Sequence, residues 1–162
     1  MKHKEEEYKL YFGKEADYYL DVLKKIDLEN KTPFNFHAAL LGAFWILYRK
    51  MYRELLLLLV LIYIESYFEE YILFLVNANH STISIVYQMS LFLWIGLIGS
   101  FSNKLYINKA NREITQIKRL GLSSNDTNKK IESTGGTTFV PHLILLTLIV
   151  LIVFLGKQGY FN

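Results

Sequence analysis

The chain contains no cysteine. Disulfides, thiolate zinc sites and cysteine nucleophiles are therefore excluded, and the redox compartment cannot be read. There is little charge of one sign: the formal net charge is +3, so no strong basic field points to nucleic acid. No phosphate loop, nucleophile elbow or dinucleotide fingerprint occurs, and Gly135-Gly136 reads as a loop between helices and not as a phosphate cradle. The four histidines, His3, His37, His80 and His142, are scattered. No metal site is expected from them, and the last three read as interfacial groups satisfied by water or backbone. The first thirty residues are rich in charge and have no apolar run, so a cleavable signal peptide is not expected. These absences lead to the expectation of a protein that is not an enzyme and carries no cofactor.

What is present is apolar, and it is segregated. Hydrophobic residues make up 52% and aromatics 15% of the 162 positions. The apolar residues come in long runs, with charge confined between them, as in integral membrane proteins. Three transmembrane helices are expected, at 54–76, 83–101 and 139–156. The second is nineteen residues without a charge, and the only titratable group in the third is His142. At about 1.5 Å per residue, both suit a hydrocarbon core of roughly 30 Å. Of the eighteen lysines and arginines, ten precede the first span and seven lie between the second and third. The positive-inside rule then puts the amino terminus and the 102–138 loop in the cytoplasm and the 157–162 tail in the periplasm.

Residues 1–33 read as a cytoplasmic polar arm. Within it Ala16, Tyr19, Leu20, Leu23 and Ile26 recur at helical spacing, which predicts an amphipathic helix stopped by Asn30-Lys31-Thr32 and Pro33. Within residues 34–53 the uncharged run is the thirteen residues 36–48, about 20 Å as a helix and too short to span, so a short interfacial helix is expected there. Its candidate membrane-interface anchors are Trp45, Tyr48 and Tyr52, with Arg49, Lys50 and Arg53 reaching anionic headgroups. In the basic 102–138 loop, Tyr106, Ile107, Ala110, Ile114 and Ile117 predict a helix that continues the second span and ends near Gly121-Leu-Ser-Ser-Asn-Asp. The fold class is thus an all-α membrane protein, with three spans, an amphipathic amino-terminal helix and a short interfacial helix.

One block is more specific. Pro33-Phe34-Asn35-Phe36-x-Ala38-Ala39-x-x-Gly42-x-x-Trp45-x-Leu47-Tyr48-Arg49-Lys50-Met51-Tyr52 resembles the hallmark of domain of unknown function 2628, a family of small bacterial inner-membrane proteins. Gly99-x-x-x-Asn103-x-x-Tyr106 and Gly135-Gly136-Thr137 agree with it. The resemblance covers roughly residues 18–150. It implies a bacterial multi-span protein with a cytoplasmic amino terminus, and brings no activity and no catalytic residues.

The first span carries Glu65, Glu69 and Glu70. Glu65 and Glu69 share a helix face, and an acid at the bilayer centre costs roughly 2.5–3.5 kcal/mol. They are candidates for pairing with a partner subunit or for ion binding, or else they lie in the outer interface. Three functions follow as expectations. The first is an accessory or assembly subunit of a membrane complex. The others are a small oligomeric ion or proton transporter, and a lipid-sensing or envelope-stress protein. The expected partners are the lipid bilayer and other membrane subunits or a second copy of the chain.

Overall fold

A computed structural model of the protein describes residues 2–157; of the tail expected at 157–162, residues 158–162 lie outside them. Among the described residues every regular element is helical and no strand occurs. The order is α1 (Glu5–Phe12), α2 (Ala16–Glu29), α3 (Phe36–Leu41), α4 (Ala43–Tyr48), α5 (Tyr52–Leu75), α6 (His80–Lys118), α7 (Ser124–Thr134) and α8 (Val140–Lys157), with a 3-10 turn Gly13–Glu15 joining α1 to α2.

The amino-terminal segment is not a polar arm. Tyr8, Tyr11 and Phe12 of α1 are buried, as are Tyr19, Leu20, Val22 and Leu23 of α2. The amphipathic face read from the spacing is therefore the face α2 buries, and α2 ends where Asn30 takes a left-handed conformation (φ 52°), as asparagine tolerates at a helix end. The apolar spacing does not predict the helix before it, α1. Its signal was Glu5-Glu6-Glu7 in a first turn, favourable to the helix dipole, followed by aromatics at i, i+3 and i+4.

The segment expected as one interfacial helix is two. Asn35 opens α3 by accepting from the Ala38 N–H at 2.9 Å, a standard N-cap. Gly42, at φ 53° and ψ −123°, then breaks the helix in a region that L-residues rarely adopt. The turn rotates α4 so that Trp45 and Ile46 join Ala38 in the core, while Phe36, Leu40, Leu41 and Phe44 are left exposed.

The long helix α6 is continuous for 39 residues, about 58 Å. Its first half is apolar and exposed nearly all round, and its second half buries Asn103, Tyr106, Ile107, Lys109, Ala110, Ile114 and Ile117. The second half is thus the stem on which α1, α2, α3 and α7 pack as a cap. The polar stretch after it turns at Gly121, and Ser123 then starts another helix, α7, by accepting from the Asp126 N–H at 3.2 Å. The Ser-x-x-Asp pattern carried that signal.

Among the described residues one helix, α6, is long and apolar enough to cross a membrane, by length and composition. The 24 residues of α5 are interrupted by the three glutamates, and the apolar part of α8 is the shorter Val140–Val153.

Candidate functional site around Arg49

The site begins with two asparagines. The Asn35 backbone N–H donates to the Gly99 carbonyl at 2.8 Å, and its side-chain amide donates to Asn103 Oδ1 at 2.8 Å. Asn103 in turn donates to the Tyr18 hydroxyl (2.9 Å) and the Pro33 carbonyl (3.0 Å). Both asparagines are buried, and these bonds offset the desolvation of their amides. They fix where α3 meets α6 and therefore where α4 ends.

Arg49 follows α4, and only 2% of it is exposed. Its guanidinium carbon lies 5.1 Å from the Tyr19 ring centre, 5.2 Å from Tyr106, 5.5 Å from Tyr48 and 5.6 Å from Trp45. Nη2 donates to the Glu15 carboxylate, while Nε and Nη1 have no hydrogen-bond partner. The ring faces and one carboxylate thus take the place of water around the cation. Burial pulls the Arg49 pKa down, but the phenols of Tyr19 and Tyr106 and the Glu15 carboxylate outweigh it, and the shift is upward.

A second buried cation stands beside it. Lys109 donates from Nζ to the Tyr11 hydroxyl at 3.0 Å and to the Arg49 carbonyl at 3.3 Å, and pairs with Glu113 at 3.3 Å. Tyr11 also donates to Glu113, at 2.5 Å. Burial pushes Lys109 below its ordinary value, with Glu113 opposing. Burial also raises Tyr11 and Tyr19, and it pushes Tyr106 up to about 12 against the pull of Arg49.

The glycine strap closes the site. Gly136 N–H donates to the Tyr11 carbonyl (2.7 Å) and Thr138 N–H to the Tyr48 carbonyl (2.9 Å). A Cβ on Gly135 would meet the Tyr11 carbonyl oxygen at 2.1 Å, so no larger residue fits. Lys50 Nζ reaches the Gly135 carbonyl at 2.6 Å and those of Ser133 and Thr134 at 3.3 and 3.5 Å, capping the carboxyl end of α7.

These contacts correct the expectation that Trp45 and Arg49 are anchors in the membrane surface. They face inward because Gly42 turns α4 towards the core. Tyr48 is half-buried against Phe139 and His142, Lys50 is engaged as a cap, and Tyr52 and Arg53 are exposed. The acids of α5 lie elsewhere. Glu65 accepts from Trp94 Nε1 at 3.3 Å and Glu69 from Ser90 Oγ at 2.8 Å, while Glu70 is exposed. His3 lies 3.7 Å from Glu7, and His142 meets the Phe44 carbonyl at 3.0 Å. His37 and His80 are exposed. Among the described residues no group of three His, Asp or Glu could hold a metal ion.

Two spaces flank the Glu15–Arg49 pair. One, of about 270 Å³, is walled by Tyr18, Tyr19, Asn35, His37 and Trp45; the other, of about 850 Å³, opens towards Lys9, Lys14, Asn128 and Glu132.

Fold and site together define an all-helical protein whose cap of aromatic and charged side chains closes on the stem of one long, partly apolar helix. The chain belongs to the family described as Protein of unknown function (DUF2628), whose model matches residues 4–112. Neither the curated proteins nor the solved structures give a match.

Replacing Arg49→Met should cost about 2–4 kcal/mol in thermal or denaturant unfolding, because the cation–π contacts and the Glu15 pair are lost together. Arg49→Lys should recover only part, since an ammonium is a point charge and cannot stack as a plane. A Met variant as stable as the wild type would show that the cage does not hold the cap.

The raised tyrosines set the alkaline limit. Their folded pKa values lie above the ordinary value of about 10, so the stability they contribute is complete below it and is lost as pH climbs towards their folded values. Lys109, being lowered, has the opposite sign and adds stability up to its ordinary value of about 10.5. Three tyrosines outweigh one lysine, so a net decline is expected from about pH 10 upward. In an alkaline absorbance titration, ionisation of Tyr11, Tyr19 and Tyr106 should coincide with loss of near-ultraviolet circular dichroism. Ionisation of these three with the dichroism intact would contradict the burial argument.

Proposed function

We propose that the protein is a small multi-pass protein of the bacterial inner membrane that works without catalysis, as an accessory or assembly subunit of a larger membrane complex. In this reading α5, the first half of α6 and α8 are three transmembrane helices, and the cap lies in the cytoplasm. The supporting observation is the division of exposure. Most Leu, Ile, Val and Phe side chains described in α5, early α6 and α8 are exposed, whereas the charges of the cap are paired internally in Glu15–Arg49, Glu113–Lys109, Glu54–Arg112 and Glu7–Lys118. Helices apolar all round need lipid or protein against every face.

The glutamates of α5 favour a partner over lipid alone. The Trp94 and Ser90 donors lower the cost of carrying Glu65 and Glu69 into hydrocarbon, but each supplies one neutral hydrogen bond, and a carboxylate has room for several. An arginine or lysine on a neighbouring subunit would complete them.

Topology can be tested directly, because the chain has no cysteine of its own. Single cysteines at Ser81 and Ser124 should label from opposite faces of the inner membrane. Labelling of both from outside would rule out three spans.

The subunit reading is tested by gentle purification from the native membrane. Wild type should bring a stoichiometric partner, and Glu65→Gln with Glu69→Gln should weaken that complex while the chain still inserts. If the double variant stays assembled but loses a pH- or cation-dependent flux in liposomes, the acids carry ions instead.

A further inference from the structure

Apart from the Trp94–Glu65 and Arg112–Glu54 contacts, one face of α6 stands open beside α5. At 100° per residue, Trp94, Ile98, Phe101, Leu105, Asn108, Arg112, Gln116 and Arg119 fall within about 40° of one line along the helix. The chemistry changes abruptly along that line. Between Trp94 and Leu105, about 17 Å, the face lines an apolar groove of about 420 Å³ closed on its other side by Leu57, Leu58 and Leu61 of α5. Beyond Leu105 the same face lines a polar pocket of about 430 Å³, contributed by Lys2, Asn108, Arg112, Gln116 and Arg119 with Asn111 and Thr115 beside them. No acid lines that pocket.

The two spaces meet at one ion pair. Glu54, at the start of α5, lines the groove, and Arg112 lines the pocket; they are 3.0 Å apart. Glu54 is largely buried, while 37% of the Arg112 side chain remains exposed. The pair uses one of the guanidinium nitrogens, which leaves a fork of N–H donors for an anion. The nearest other acid on the helix, Glu113, is turned to Lys109 and Tyr11. The pair joins Arg112 to the residue just before the apolar run of α5.

We infer that this face of α6 is a binding site for a single anionic phospholipid, with its phosphate held by Arg112, Arg119 and Lys2 and one acyl chain lying in the groove between α5 and α6. An apolar slot that meets a cluster of donors at the Glu54–Arg112 pair fits an amphiphile that is anionic at one end, and basic pockets beside transmembrane helices on the cytoplasmic side hold such headgroups. A zwitterionic lipid would fill the groove equally but would gain less from three cations. The inference rests on the proposed membrane placement.

Trp94 in the groove supplies the readout. The full-length chain is reconstituted in phosphatidylcholine bilayers, with phosphatidylglycerol or phosphatidylcholine brominated on the acyl chain added in turn. Brominated phosphatidylglycerol should quench tryptophan emission at a mole fraction on the order of fivefold lower, the effect expected of about one favourable cation. Lys2→Gln with Arg119→Gln, which leaves the Glu54–Arg112 pair in place, should remove that preference and keep the phosphatidylcholine quenching unchanged. Equal quenching by the two lipids in the wild type overturns the site but not the membrane placement. No quenching by either overturns both. Loss of the preference on adding millimolar inorganic phosphate would assign the pocket to a soluble anion and also overturn the lipid site.

Discussion

The cap is organised by the need to satisfy one guanidinium that is held out of water. Arg49 is among its most buried residues, and an unpaired cation at such a position would cost several kcal/mol. The compensation comes from several elements at once: Tyr19 from α2, Trp45 and Tyr48 from α4, Tyr106 from α6 and the carboxylate of Glu15 from the 3-10 turn. None of these elements could hold the charge alone. The amino-terminal helices must fold back on α6 for the arginine to be tolerated, which makes their docking cooperative with the α4 turn. Lys109 repeats the arrangement nearby with its own acid, Glu113, and its own ring, Tyr11. Two buried cations can coexist there because each has a separate carboxylate.

Much of this was visible in the sequence as pattern but not as position. The apolar period of α2 correctly marked the face it buries, and the run from Tyr106 to Ile117 correctly extended the second apolar segment into one helix. The family block and its two satellites were visible too. What spacing could not show is that they converge: Asn35 meets Gly99 and Asn103, and the Gly135-Gly136 strap meets Tyr11. Tryptophan and arginine beside an apolar run suit a membrane surface, and spacing alone places Trp45 and Arg49 there. That assignment fails at Gly42, where a positive φ reorients six residues. Nothing in helical periodicity reveals such a turn.

The acids of α5 show a related limit. No lysine or arginine lies near Glu65 and Glu69 in the sequence, yet α6 brings neutral donors to both. Antiparallel pairing sets this up: Glu54 faces Arg112, Glu65 faces Trp94 and Glu69 faces Ser90. Charge counting along a sequence cannot see indole and hydroxyl partners, because those residues are unremarkable until the register of two helices is known.

That register places a constraint on α6 itself. The helix must be smooth enough to run unbroken for 39 residues, yet it must let another chain segment approach its backbone. Gly99 meets both demands. It keeps helical geometry, and without a Cβ it leaves room for the Phe34 ring, which a methyl group would approach to 2.2 Å. Its carbonyl then accepts the Asn35 N–H. The contact lies at the boundary between the apolar and the core-forming halves of α6. Docking of the cap is therefore fixed at one height on the helix, four residues before Asn103 and seven before Tyr106. A shift by one residue would rotate Tyr106 about 100° away from Arg49 and leave the cation without its central ring.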